Sequence, residues 1–135
     1  MPDVVTCILL HQGRLLLLKR SDRVSTYRGL WAGVSGYVEE GDDPLGRAYI
    51  EIEEETGLTR EQVVLERGAP PVEFYDPGEG RRWRVHPFLF RALTAEVSID
   101  WEHDDYAWVA PEELDRYPTV PKLAETVRRL LPSPS

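Results

Sequence analysis

Three glutamates in one short stretch, Glu51, Glu54 and Glu55, have the residue type and spacing that could perform chemistry. If the stretch is a helix, which turns about 100° per residue, their side chains lie within an arc of roughly 100° on one face. Like charges at this spacing repel one another, and a bound cation would relieve the repulsion; hard divalent ions such as Mg²⁺ prefer oxygen ligands. The pattern therefore predicts a divalent metal site, although a glutamate-rich helix in isolation is more often a solvated surface.

The residues around these glutamates predict the helix that would position them. Pro44 suits the first turn, where its missing N–H is not needed, and Asp42 or Asp43 can cap that turn. Gly57 allows the chain to leave the helix in a left-handed conformation, so we expect a helix from about Pro44 to Thr56. One apolar stripe should face the core, formed by Leu45, Ala48, Tyr49 and Ile52.

The stretch from Gly36 to Leu58, GYVEEGDDPLGRAYIEIEEETGL, resembles the signature of the Nudix hydrolases. That signature has Gly, five residues, Glu, seven residues and then Arg-Glu-apolar-x-Glu-Glu-x-Gly-apolar. The positions that match it are Gly36, Glu51, Ile52, Glu54, Glu55, Gly57 and Leu58. The resemblance implies an α/β protein of the α+β type with the Nudix fold, a mixed β-sheet sandwiched between helices. It also implies Mg²⁺-dependent hydrolysis, with Mn²⁺ as a substitute, of a phosphoanhydride in a nucleoside diphosphate linked to another group.

The resemblance also implies roles for single residues. Glu51, Glu54 and Glu55 would be catalytic by holding one or more metal ions. The backbone carbonyl of Ser35 and the side chain of Glu102, in an acidic loop, would be additional ligands. Either Glu51 or Glu102 would accept the proton of the attacking water, and the choice between them stays open. The alternative for Glu102 is an ordinary solvated loop residue.

Two positions depart from the signature: Asp42 stands in place of its first glutamate, and Ile50 in place of its arginine. In the family this arginine pairs with neighbouring glutamates and holds the catalytic carboxylates in position. Arg47 lies one turn before Glu51 on the same face, so it is the residue that can compensate. The residues expected to support the site structurally are Gly36, Asp42, Arg47 and Gly57. The alternative function is a Nudix-like domain that binds nucleotide with weakened catalysis.

Residues outside the signature bear on the substrate. Arg82 and Trp83, in a basic cluster, could bind phosphates or stack on a base, and Arg28 could contact a phosphate. Tyr75 has a spacing from the signature that is seen in family members acting on dinucleoside polyphosphates. The segment from Trp101 to Trp108 is instead similar to members acting on nucleoside triphosphates. Both substrate classes stay open, as does the alternative that these are surface or packing residues.

The rest of the chain is expected to form strands and two further helices within a single domain, residues 1–135. Two apolar strands, 4–10 and 14–20, flank a turn and should be buried on both faces. Further strands are expected at 31–35, 61–68, 72–75, 83–91, 95–99 and 106–109. Helices are expected at 110–114 and at 121–131, the latter capped by Thr119, before a frayed tail at 132–135.

Composition argues against several classes of protein. The net charge of −8 argues against a stable complex with nucleic acid through a basic surface. The chain has no apolar run long enough to cross a membrane, and its first residues, Met1 to Asp3, do not begin a signal peptide. A single cysteine rules out an internal disulfide. We therefore expect a cytoplasmic protein whose partner is a small nucleotide, and the sequence leaves its oligomeric state unknown.

Overall fold

The computed structural model describes residues 1–131, which contain eight strands and two α-helices. The strands are β1 (Asp3–His11), β2 (Arg14–Arg20), β3 (Trp31–Ala32), β4 (Val34–Tyr37), β5 (Val63–Gly68), β6 (Val72–Asp76), β7 (Arg81–Ala92) and β8 (His103–Val109). The α-helices are α1 (Pro44–Thr56) and α2 (Leu123–Leu130). Short 3-10 helices lie at Arg60–Gln62 and at Pro111–Arg116, the latter in place of the helix expected at 110–114. The tail expected at 132–135 lies outside the described residues.

All eight strands belong to one mixed sheet. The strand β1 runs parallel to β7 and antiparallel to β2 and β4, so it occupies the middle of the sheet. The strand β7 extends the sheet by antiparallel pairing with β5 and β6, and β2 extends it with β3 and β8. The expected hairpin of β1 and β2 and the expected mixed sheet are both confirmed.

Two hydrophobic cores, one on each face of the sheet, hold the two helices. Side chains of β1 alternate between them, with Cys7 and Leu9 in the core shared with α1 and Ile8 in the core shared with α2. Helix α1 contributes Ala48 and Ile52 to the first core, from the stripe that the sequence predicted. Burial of both faces accounts for the unbroken apolar runs of β1 and β2, and it produces the sandwich of helices around a sheet.

The strand predicted at 95–99 is absent. This segment crosses the end of α1, where the N–H of Ser98 donates to the carbonyl of Thr56 at 2.8 Å. Val97 and Ile99 pack against the core on the α1 side of the sheet. Partial burial of every second residue in a segment that lies on a helix produces the same alternation of apolar and polar residues as an edge strand, which is why the strand prediction was wrong.

Other boundaries also differ from the prediction. The strand expected at 31–35 is divided into β3 and β4, and β5 begins only at Val63, after a 3-10 turn. Thr119 does not cap α2, because the helix begins at Leu123 and Lys122 occupies the capping position. Within residues 1–131, no helix has the length and apolar character needed to cross a bilayer.

Candidate active site

Helix α1 begins and ends at the residues that local chemistry favours. The carboxylate of Asp43 accepts a hydrogen bond from the N–H of Gly46 at 3.1 Å, and Pro44 occupies the first turn. Gly57 adopts a φ of +77°, and its N–H donates to the carbonyl of Glu53 at 2.9 Å. The predicted bounds of this helix are confirmed, and they set the direction of its glutamates.

A cavity of about 360 Å³ lies beside α1, and three of the predicted glutamates, Glu51, Glu54 and Glu102, line it. The side chains differ in burial, since Glu54 is exposed whereas Glu51 is 9% exposed. Glu55 is 2% exposed and lies next to Glu51, behind the lining of the cavity. Other predicted residues in the lining are Ser35, Gly36, Arg47 and Trp83. The structure thus brings the predicted carboxylates together at one cavity.

Gly36 allows the close approach of α1 to the sheet. A Cβ atom at this position would clash with the carboxyl group of Glu51. Any larger residue at position 36 would therefore force this carboxylate to move. The contact gives a physical reason for glycine at this position, independent of backbone conformation.

Arg47 joins two of the acidic residues. Its guanidinium lies 2.8 Å from Oδ2 of Asp42 and 3.3 Å from Oε2 of Glu51. The pKa of Asp42 is lowered, first by the backbone N–H of Glu39, which donates to Oδ2 at 2.9 Å, and then by Arg47. Ile50, which stands at the arginine position of the signature, is exposed and does not line the cavity. The ion pair that the helix geometry predicted for Arg47 is present.

Glu55 is the most buried of these carboxyl groups, and its two oxygens differ. Its Oε1 accepts from the backbone N–H of Ser35 at 3.4 Å and lies 3.7 Å from Nε2 of His103. Its Oε2 has no hydrogen-bond partner among residues 1–131. Burial raises the pKa of Glu55 well above its usual range, and a side-chain hydrogen bond with Glu51, followed by the charges of Glu51 and Glu102, adds to the rise. An unpaired oxygen in a buried carboxyl is costly, and a cation would offset that cost.

Glu51 and Glu102 are the two candidates for accepting a proton. Burial raises the pKa of Glu51, although its contacts with Glu55 and Arg47 oppose the rise. Burial also raises the pKa of Glu102, followed by the effect of the Asp100 charge. Both carboxyl groups therefore hold a proton more readily than they would in water, a property that suits a general base.

The loop that carries Glu102 is anchored at both sides. The N–H of Ser21 donates to the carbonyl of Glu102 at 2.7 Å, and the hydroxyl of Ser21 donates to the carbonyl of Trp101 at 3.0 Å. At the start of β8, Nδ1 of His103 lies 2.7 Å from Oδ1 of Asp100. These contacts place the acidic loop against the end of β2, so Glu102 reaches the cavity.

The residues present fit a hard divalent cation by their donor chemistry and by the unpaired Oε2 of Glu55. In the part of the chain that the structure describes, no three Asp, Glu, His or Cys side chains converge to enclose a metal ion by themselves. Mg²⁺ usually keeps several waters and combines one or two carboxylates with phosphate oxygens of a substrate. The open arrangement of glutamates around a cavity agrees with that mode of binding.

Of the four predicted substrate residues, Trp83 lines the cavity and the other three do not. Trp83 is 6% exposed, whereas Tyr75 is 55% exposed. The register pairs Tyr75 with Arg82 and Phe74 with Trp83, so alternation puts the first pair on the face of the β6–β7 ribbon that points away from the cavity. Arg28 is exposed in the loop before β3.

Several lining residues were not found from the sequence. The hydroxyl of Tyr27 donates to the carboxylate of Asp76 and so links the loop before β3 to the end of β6. The ring of Tyr37 lies 6.1 Å from that of Trp83, and Phe74 adds another aromatic side chain to the lining. Strand alternation puts Phe74 on the face opposite to Tyr75 but does not decide which face meets the cavity, and no local signal singled out Tyr27. Basic side chains in the lining belong to Arg20, Arg47 and Lys122.

Comparison with known proteins agrees with the signature. A family model described as NUDIX domain matches residues 1–130. The chain is 33% identical over 124 residues to a nucleoside triphosphatase NudI of Escherichia coli, and the alignment covers 84% of this chain and 85% of that protein.

Solved structures agree in fold. The dihydroneopterin triphosphate pyrophosphohydrolase of E. coli superposes with a TM-score of 0.80 at 21% identity, covering 94% of this chain and 92% of that chain. An Ap4A hydrolase of C. elegans superposes with a TM-score of 0.79 at 18% identity, covering 96% of this chain and 94% of that chain. Together with the signature on α1 and the family match, these findings show that the chain belongs to the Nudix hydrolase family and is an enzyme of the pyrophosphohydrolase class.

Proposed function

We propose that this protein, as a single domain over residues 1–135, hydrolyses a phosphoanhydride bond of a nucleoside triphosphate in the presence of Mg²⁺ or Mn²⁺. The observation that carries the proposal is the gathering of Glu51, Glu54 and Glu102 around one cavity, with the unpaired carboxylate oxygen of Glu55 behind them. The 33% sequence identity to a nucleoside triphosphatase supports nucleoside triphosphates as the substrate class.

The four glutamates would hold the metal, with the backbone carbonyl of Ser35 as a further ligand. When bound, a divalent ion offsets phosphate charge, orients the anhydride and lowers the pKa of water. Arg47 holds the carboxylate of Glu51 in place through its ion pair. Either Glu51 or Glu102 accepts the proton of the attacking water, because both line the cavity and both have a raised pKa.

Nucleoside triphosphates are favoured over dinucleoside polyphosphates by the position of Tyr75. This residue is the one whose spacing favoured dinucleoside polyphosphates, and it lies outside the cavity lining. The aromatic wall formed by Trp83, Tyr37 and Phe74 suits a single base.

A nucleotide-binding domain with weakened catalysis is the second candidate, and it rests on the departures at Asp42 and Ile50. The double ion pair of Arg47 counts against it, because the support that the signature arginine would give is supplied from the preceding turn.

A substrate panel tests the proposal. Nucleoside triphosphates, dinucleoside tetraphosphates and nucleoside diphosphate sugars would be incubated with Mg²⁺, with Mn²⁺ or with EDTA, and the products separated by chromatography. We expect release of pyrophosphate from triphosphates with either metal and none in EDTA. Faster turnover of a dinucleoside tetraphosphate would contradict the substrate class. Nucleotide binding by calorimetry without any turnover would favour the binding domain.

The same helix offers a matched control for the metal site. Glu54→Gln removes a carboxylate from the cavity, whereas Glu53→Gln removes one from an exposed position that does not line it. We expect Glu54→Gln to lower turnover at limiting Mg²⁺ by about a hundredfold, the scale of losing a ligand, and Glu53→Gln to leave it unchanged. Equal rates in the two variants would remove Glu54 from the ligand set.

A further inference from the structure

The residue beside Glu102 makes a contact that the signature does not account for. His103, at the start of β8, is 6% exposed. Its ring lies between two carboxylates, with Nδ1 at 2.7 Å from Oδ1 of Asp100 and Nε2 at 3.7 Å from Oε1 of Glu55. The proposed chemistry uses Glu55 and Glu102 and assigns no role to this buried imidazole.

The short contact with Asp100 orients the ring of His103. A carboxylate at hydrogen-bond distance accepts, so Nδ1 donates to Asp100, and this contact directs Nε2 at Glu55. On the side of Oε1, Glu55 thus meets His103 and the backbone N–H of Ser35. Its Oε2 has no hydrogen-bond partner within residues 1–131. The surroundings therefore distinguish one oxygen that is held from one that is free to bind a cation.

We propose that His103 is a positioning residue, held by Asp100, which keeps Oε1 of Glu55 in place so that Oε2 is presented to the divalent ion. The inference rests on the metal site of the proposed function. Groups that orient a metal ligand from behind typically contribute 10- to 100-fold to metal affinity. Because His103 follows Glu102 directly, its attachment to Asp100 also restrains the loop that carries a second candidate ligand.

Two substitutions separate this role from a general part in folding. His103→Gln puts an amide group near the position of Nε2 and so retains a polar contact with Glu55. His103→Asn puts one near the position of Nδ1, and so retains the contact with Asp100 but leaves the space next to Glu55 empty. Affinity for Mn²⁺ would be measured by electron paramagnetic resonance without nucleotide, together with the unfolding temperature of each variant.

The chain contains a matched control. His86 forms the same kind of pair, with its Nε2 at 3.0 Å from Oδ1 of Asp3, and it does not line the cavity. We expect His103→Asn to weaken Mn²⁺ binding about 10- to 100-fold, and His103→Gln and His86→Gln to retain most of the affinity.

Each other outcome is decisive. Wild-type affinity in His103→Asn, or equal losses in His103→Asn and His103→Gln, would overturn the positioning role while leaving the metal site intact. A wild-type protein that does not bind Mn²⁺ would instead remove the metal site of the proposed function, and this inference with it. If His103→Asn fails to fold, Asp100→Ala provides the test, because it removes the acceptor for Nδ1 and the released ring should hold Glu55 less well; unchanged Mn²⁺ affinity there would overturn the proposal.

Discussion

Replacing Arg47 by alanine tests how the site tolerates the loss of the signature arginine. The change removes the guanidinium that joins Asp42 to Glu51. An exposed helix pair is worth only about 0.3–0.5 kcal/mol, or less than about threefold in rate. The side chain of Glu51 is 12% exposed, so its contact with Arg47 belongs with hydrogen bonds to charged groups, which contribute about 1.5–3 kcal/mol. At about 1.4 kcal/mol per factor of ten, kcat should fall about 10- to 100-fold.

Steady-state kinetics on the preferred nucleoside triphosphate at saturating Mg²⁺ would measure this loss, with thermal unfolding as a check on the fold. Arg91→Ala is the matched control, because Arg91 forms an exposed ion pair with Glu66 at 2.9 Å and does not line the cavity. It should change kcat by less than about threefold. Adding Ile50→Arg to the Arg47→Ala variant should restore part of the rate, since it returns the charge to its position in the signature.

The reasoning is refuted if Arg47→Ala and Arg91→Ala have the same small effect on kcat. Arg47 would then be an ordinary surface residue, and Glu51 would be held by its burial alone. If Ile50→Arg restores nothing although Arg47→Ala is severely impaired, the role of Arg47 depends on its own position on α1, and the equivalence with the signature arginine is wrong.

Three further predictions address the carboxylates, the aromatic wall and the close approach of α1. In EDTA, Glu55→Gln should raise the unfolding temperature at pH 8, with the gain shrinking toward pH 4. Because the pKa of Glu55 is raised in the folded protein, the fold retains a proton that the unfolded chain has released. This carboxyl therefore destabilises the fold as pH rises above the pKa that Glu55 has in the unfolded chain. A gain in unfolding temperature that does not vary with pH would contradict this. Trp83→Phe should raise KM about twofold to tenfold with little change in kcat, the scale of one lost hydrogen bond or aromatic contact. Tyr75→Ala should leave KM unchanged. A larger increase of KM in Tyr75→Ala than in Trp83→Phe would place the nucleotide on the other face of the β6–β7 ribbon. Gly36→Ala should lower kcat about a hundredfold by displacing Glu51, since a shift of about 1 Å can cost that much; wild-type kcat would mean that Glu51 adapts.

Local chemistry determined the parts of this protein that depend on a few neighbouring residues. The bounds of α1 follow from Asp43, Pro44 and Gly57, which satisfy or end a helix by contacts within one turn. The pairing of Arg47 with Glu51 follows from helix geometry alone. The burial of β1 and β2 on both faces follows from their unbroken apolar runs.

Tertiary structure decided everything that depends on which face of an element meets which neighbour. Alternation along β6 showed that Phe74 and Tyr75 point to opposite sides, but only the packing of the ribbon determined that Phe74 is the one at the cavity. The same alternation at 95–99 arose from a segment lying on a helix. The contact of His103 with Glu55 joins a strand end to a helix that lies far away in the chain. Such contacts cannot be inferred from spacing, because they depend on the pairing of β2 with β8 and of β1 with β4, which brings the two elements together only in the folded sheet.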